Sequence, residues 1–157
     1  KERPVKKYRN KILCGLVSAA ILVAGIISCL SLRPVEIIAI HTEGRFSDVL
    51  LKNPPLTESG MIRWWQDNRV QLKHQYNLPQ TDENGNFTMI FWDLAGGLKP
   101  EKIDDSICFP QLKPPANCID KNSLMWVRNT PTRGLTVVVS SGYYQVKEDG
   151  RLVRREN

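Results

Sequence analysis

The sequence predicts an α+β membrane protein: one N-terminal transmembrane helix, then a small, mainly antiparallel sheet with one principal helix packed on it. Three observations predict this. An uncharged run fills residues 12–32, between Lys11 and Arg33. Beyond it, only residues 57–76 carry an extended helical periodicity. The other regular segments are short, β-rich and separated by Gly, Pro and Asn.

The apolar run comes first. Its 21 residues, at a rise of about 1.5 Å each, make roughly 31 Å of helix, matching a hydrocarbon core of about 30 Å. Lys1, Arg3, Lys6, Lys7, Arg9 and Lys11 precede it against the single acid Glu2. Basic residues set orientation, so residues 1–11 are expected to be a basic cytoplasmic tail, residues 12–32 the span, and residues 33–157 an exported domain, which in a bacterium is a periplasmic domain held to the inner membrane. Two rivals use the same run. A cleaved signal would have a shorter core and an Ala-x-Ala-like site. A lipoprotein signal would use Ile26-Ile27-Ser28-Cys29, with the Cys29 thiol as lipid acceptor. All three readings export the working domain.

Splitting the chain at the anchor disposes of the formal charge of +6. Residues 33–157 hold 16 basic and 15 acidic residues, so the excess belongs to the tail, where it suits anionic lipid headgroups. Without a basic stripe carrying interleaved aromatics, no nucleic-acid partner is expected. Arg151, Arg154 and Arg155 read as a frayed, solvated end. Cys14 and Cys29 lie within the apolar run. Cys108 and Cys118 lie in the exported part, where disulfides persist, and their intervening segment is rich in proline. A bridge between them is expected, contributing roughly 2–3 kcal/mol. The spacing does not suit zinc, and no metal or cofactor is expected.

About 125 residues follow the anchor, enough for one domain. Residues 35–41 and 46–52 read as a hairpin, with Gly44 supplying positive φ in its loop. Thr57 is an N-cap for a helix to about Tyr76, ended by Asn77-Leu78-Pro79. Met61, Ile62, Trp65, Leu72 and Tyr76 share one side of it, with Trp64 on the shoulder of that stripe. Residues 86–93 carry aromatics on both parities, which predicts a central strand buried on both faces. Residues 94–122 read as a loop stapled by the disulfide. Residues 124–128 and 135–141 are further strands, and residues 143–146 and 151–154 flank a hairpin turn at Lys147-Glu148-Asp149-Gly150.

The machinery of hydrolysis is missing. The sequence holds no Gly-x-Ser-x-Gly, His-Glu-x-x-His or phosphate-binding glycine loop. His74 falls opposite the helix's apolar stripe and is expected in solvent. His41 ends a strand beside a turn, as a hydrogen-bonding residue or part of a site. Asp93 is placed to cap the turn at residues 94–97, and Asp104 and Asp105 read as solvated loop carboxylates. No enzyme is expected. Trp64, Trp126, Tyr143 and Tyr144 are residue types that anchor interfaces, and any of them also serves as core. In the Tyr143-Tyr144 pair one ring must face away from the other.

Several segments together resemble an enterobacterial family of predicted membrane proteins catalogued as domain of unknown function 943. They are residues 32–37, His41, Ser47-Asp48-Val49-Leu50, Trp64-Trp65, Asn86-Phe87-Thr88, Ile90-Phe91-Trp92-Asp93, Cys108-Phe109 and residues 116–122. The resemblance implies a single-pass, disulfide-containing envelope protein of an enteric bacterium, and it brings no catalytic residues. Cys29 departs from the family pattern, which keeps the lipoprotein reading open.

The expected role is therefore non-enzymatic protein binding by a tethered periplasmic domain, in its most concrete form an immunity-type protein holding an envelope-targeting toxin. The candidate interface residues are Trp64, Tyr143, Tyr144 and His41. The alternative is an accessory subunit acting through its anchor helix, where Gly15, Ser18, Ala19, Leu22, Gly25 and Ser28 offer surfaces for packing.

Overall fold

The computed structural model describes residues 3–102 and 105–155, with the side chains of residues 3–8, 30 and 31 excepted. Asp104 thus lies outside the described residues. The chain divides into two units, Lys1–Pro34 and Val35–Asn157.

The first unit is a single helix, α1 (Arg3–Ser31). Within it Arg9–Cys29 is apolar and long enough to cross a bilayer, with a mean hydropathy of 2.5. Its described side chains, from residue 9 to residue 29, are all exposed. An all-round apolar surface on a lone helix is what a lipid solvent demands. The helix continues into the basic segment because Lys and Arg are good helix formers and Pro4 falls in the first turn, where proline is tolerated.

The second unit holds the strands β1 (Glu36–Glu43), β2 (Phe46–Lys52), β3 (Phe87–Asp93), β4 (Ser106–Cys108), β5 (Cys118–Asp120), β6 (Ser123–Thr130), β7 (Gly134–Val139), β8 (Gly142–Val146) and β9 (Leu152–Arg155), with α2 (Glu58–Tyr76) between β2 and β3. Seven strands form one sheet in the order β1-β2-β3-β6-β7-β8-β9, and β4 and β5 form a separate hairpin. All neighbours are antiparallel except β2 and β3. That pair runs parallel because the chain returns through a 19-residue helix rather than a tight turn. The α+β architecture is as the sequence predicts; the parallel pair was not anticipated.

Local chemistry accounts for the boundaries. Thr57 caps α2, its hydroxyl accepting from the Gly60 N–H at 3.0 Å. Asn77 closes the helix in the left-handed region, φ 53°, its N–H bonded to the Lys73 carbonyl at 3.0 Å. Gly44 turns the first hairpin at φ 57°. Asp93 Oδ1 accepts from the Ala95 N–H at 2.9 Å, the capping role expected of it.

One face of the sheet packs against α2. Val49, Leu51, Met89, Phe91, Met125, Val127, Val137 and Val139 meet Met61, Ile62, Trp65 and Leu72 there. Tyr76 departs from the expected stripe: it is 40% exposed, at the last turn of α2. On the other face Ala39, Leu50 and Trp92 join Phe109 and Ile119 of the β4–β5 region in a second cluster. As predicted, β3 is buried on both faces, Phe91 in one cluster and Trp92 in the other. The stretch read as loop, residues 94–122, instead contains β4 and β5. Cys108 and Cys118 sit opposite each other in that hairpin and are bridged. With three residues per strand, no period was long enough to see in sequence.

The C-terminal arginines also differ from the expectation of a frayed end. Arg154 donates from Nη2 to the Ser141 carbonyl at 2.9 Å, and Arg155 from Nε to Gln145 Oε1 at 3.0 Å. The cross-strand pairing of β8 and β9 holds both.

Candidate functional site

Alternation along each strand sorts the candidate residues. Tyr144 pairs with Val137 and packs against the α2-side core. Tyr143 pairs with Val138 and Arg155 on the opposite face. The two rings of the pair therefore point apart, as strand geometry requires. Trp64 also belongs to the α2 side, edge-on to Phe91 with centroids 5.9 Å apart and planes at 89°. It borders a cavity of about 350 Å³ with Glu36, Asn68 and Gln71. His41 lies opposite Asp48 at the far end of β1, half-buried.

The face away from α2 is only partly covered. The β4–β5 hairpin lies over its β1–β3 end. Across β6, β7 and β8 the register brings Trp126, Val138 and Tyr143 into one row, and none of the three belongs to either core cluster. All are half-buried by their neighbours in the sheet. Trp126 stays in place through two contacts: its indole N–H donates to Ser123 Oγ at 2.8 Å, and the Arg128 guanidinium lies 5.2 Å from its ring centroid. Trp126 is not among the interface candidates named from the sequence, because a strand tryptophan reads as core until its register is known.

Charge is concentrated beside that row. Gln145 Oε1 accepts from Arg155 Nε at 3.0 Å, from Arg155 Nη2, and from Lys147 Nζ at 3.3 Å. Two cations thus share one neutral oxygen. Arg128 Nε is buried and finds no hydrogen-bond partner among the described residues. None of the ion pairs among the described residues involves Arg128, Lys147 or Arg155. The surface is an aromatic row with a cationic border.

Other candidates do not converge. His41 pairs with Asp48, whereas Asp93 pairs with Leu51 three residues further along β2, roughly 10 Å away at strand spacing. His74 is exposed. Among the described residues no three His, Cys, Asp or Glu side chains are grouped to hold a metal. Cys29 is an exposed free thiol on α1. A further cavity, of about 560 Å³, lies beside the start of α2 and is bordered by Glu58, Arg63, Tyr144 and Leu152. The Ser140 hydroxyl, then that of Ser141, holds the Glu58 carboxyl below its ordinary range.

Among the described residues one helix is long and apolar enough to span a bilayer, and with the α+β unit and its bridged hairpin it supports a single-pass membrane protein. Residues 6–156 match the family described as "Enterobacterial putative membrane protein (DUF943)", and the chain belongs to that family. No curated protein and no solved structure matches it.

Proposed function

We propose that this chain is a non-enzymatic binding protein, held in the inner membrane by α1 with its α+β unit in the periplasm. Its docking surface is the uncovered face of β6–β8. The observation that carries this reading is the row of Trp126, Val138 and Tyr143, left outside both hydrophobic clusters and bordered by Arg128 and Arg155. Trp, Tyr and Arg are the residue types that dominate binding energy when a partner desolvates them. An immunity-type role toward an envelope-targeting toxin suits such a surface on a membrane tether, since tethering raises effective concentration at the bilayer. The basic residues ahead of the span support the orientation.

The test uses the full chain in cells, with a photo-cross-linking residue at position 143 or, as control, at the exposed position 71 of α2. A discrete protein adduct from 143 alone is expected. Adducts of equal yield from both positions, or none, overturn the assignment of this face. Fusing alkaline phosphatase after residue 157 checks topology separately: activity is expected, and an inactive fusion overturns the periplasmic placement.

A further inference from the structure

A third cavity, of about 320 Å³, opens between the C-terminal half of α2 and the sheet, and nothing in the proposed docking role uses it. Its walls are apolar: Trp65, Leu72, Leu78, Met89 and Leu135 line it, and the first four of these are at least 95% buried. The turn after α2 shapes one side, where the Leu78 N–H bonds back to the Leu72 carbonyl at 3.1 Å. Two polar side chains border the cavity, Arg69 and Asn129. Asn129 is committed, since its Nδ2 donates to the Gly85 carbonyl at 3.0 Å.

Arg69 is different. Its guanidinium lies 5.5 Å from the Trp65 ring centroid, over one wall of the cavity, and Nε makes a long 3.4 Å contact to the Gln66 carbonyl. It takes part in none of the ion pairs among the described residues. An exposed cation stacked at the rim of an apolar cavity selects for two things at once. The walls favour an apolar body, and the planar fork of donors favours a carboxylate, which it meets with two parallel hydrogen bonds. A single cation suits one negative charge. The volume lies at the small end of the range for ligand sites, which run from about 300 Å³ upward.

We propose that this cavity binds a small carboxylic acid whose body is one aromatic ring or a short alkyl chain, with the carboxylate on Arg69 and the body against Met89, Leu72 and Leu135. The probe is 3-phenylpropionate, with 3-phenylpropan-1-ol and 3-phenylpropylamine as neutral and cationic counterparts. The full chain is reconstituted in lipid nanodiscs with 13C-labelled methionine methyls, and empty nanodiscs correct for partition into lipid. The sequence has three methionines, Met61, Met89 and Met125, and of these only Met89 borders the cavity. The acid is expected to shift the Met89 methyl saturably while leaving Met61 and Met125 in place. Arg69→Gln, at an exposed position, should weaken acid binding about tenfold and leave the alcohol unchanged. Arg69→Lys should recover part of the loss. An amine binding as tightly as the acid, an unaffected Arg69→Gln variant, or no saturable Met89 shift at millimolar probe overturns the proposal.

Discussion

The Trp92 indole N–H donates to Asp48 Oδ1 at 2.7 Å, joining the parallel neighbours β2 and β3 beneath the bridged hairpin. Asp48 and Trp92 are not opposite each other in the register, since Asp48 pairs with Ile90 and Leu50 with Trp92. The bond is therefore a diagonal side-chain link between the strands. It settles the one polar atom of a ring that is otherwise 95% buried among Ala39, Leu50, Phe109 and Ile119. Aromatic burial on this face depends on a carboxylate on the side of β2 opposite Val49 and Leu51, away from the helix-side core, which explains why an acid is tolerated in the middle of β2.

Asp48→Ala should therefore cost about 1–3 kcal/mol, the penalty for leaving the buried indole N–H without an acceptor. Asp48→Asn retains an acceptor oxygen and should cost clearly less. Urea denaturation of both variants, followed by tryptophan fluorescence, checks the order. Equal losses would mean that charge, and not acceptance of the indole proton, is what Asp48 supplies.

Reducing the Cys108–Cys118 bridge should lower stability by roughly 2–3 kcal/mol, because it closes a loop of sequence separation 10. The effect should also be local. Phe109 and Ile119 flank the bridged cysteines and form the lid over Trp92, so their amides should lose hydrogen-exchange protection first. The amides of Val127 and Val137, in the α2-side core, should follow only with global unfolding. The Cys108→Ala/Cys118→Ala double variant should reproduce the reduced protein.

Acid should loosen the turn before β3. Asp82 Oδ1 accepts from the backbone N–H groups of Asn86 at 2.8 Å and Asn84 at 2.9 Å, and Oδ2 accepts from Asn86 Nδ2 at 3.0 Å and Arg45 Nη1 at 3.3 Å. The Asn86 backbone bond is the main cause that holds its carboxyl below the ordinary 3.8. A depressed folded-state value adds stability that is complete above the unfolded value and is lost as pH falls through the folded one. The loss should thus begin below about pH 4, and Asp82→Asn should flatten the acid limb of a stability-versus-pH curve. An unchanged acid limb in that variant would assign the sensitivity to other carboxylates, Glu58 first among them.

What the sequence revealed and what it hid follow from the range of the interactions. The α1 run, the Thr57 cap, the Asn77 stop and the Gly44 turn are local chemistry, and each is legible within four or five residues. The double burial of β3 was legible because Phe91 and Trp92 are both large and adjacent. The parallel β2–β3 pair was not, since it depends on where a 19-residue helix delivers the chain. The sequence places Trp64, and not Trp126, among the interface candidates without any knowledge of which side each ring takes. Their sides are decided by packing and register with residues far along the chain, Phe91 for the first and Val138 for the second.

That separation gives the sharpest prediction. Trp64 and Tyr143 are equivalent interface candidates by residue type, but Trp64 stacks edge-on to Phe91 and packs on the core, whereas Tyr143 lies outside both clusters. Trp64→Ala should cost about 2–4 kcal/mol, somewhat below the full penalty for a buried aromatic because the ring is only partly covered. Tyr143→Ala should cost about 1 kcal/mol or less, since it opens no cavity in either cluster. Any cellular activity should respond in the opposite order: lost in Tyr143→Ala at normal protein levels, and lost in Trp64→Ala only in proportion to its lower abundance. Thermal melts and quantitative blots of both variants decide this. A Tyr143→Ala protein as unstable as Trp64→Ala would return Tyr143 to the core and leave Trp126 as the aromatic anchor of the open face.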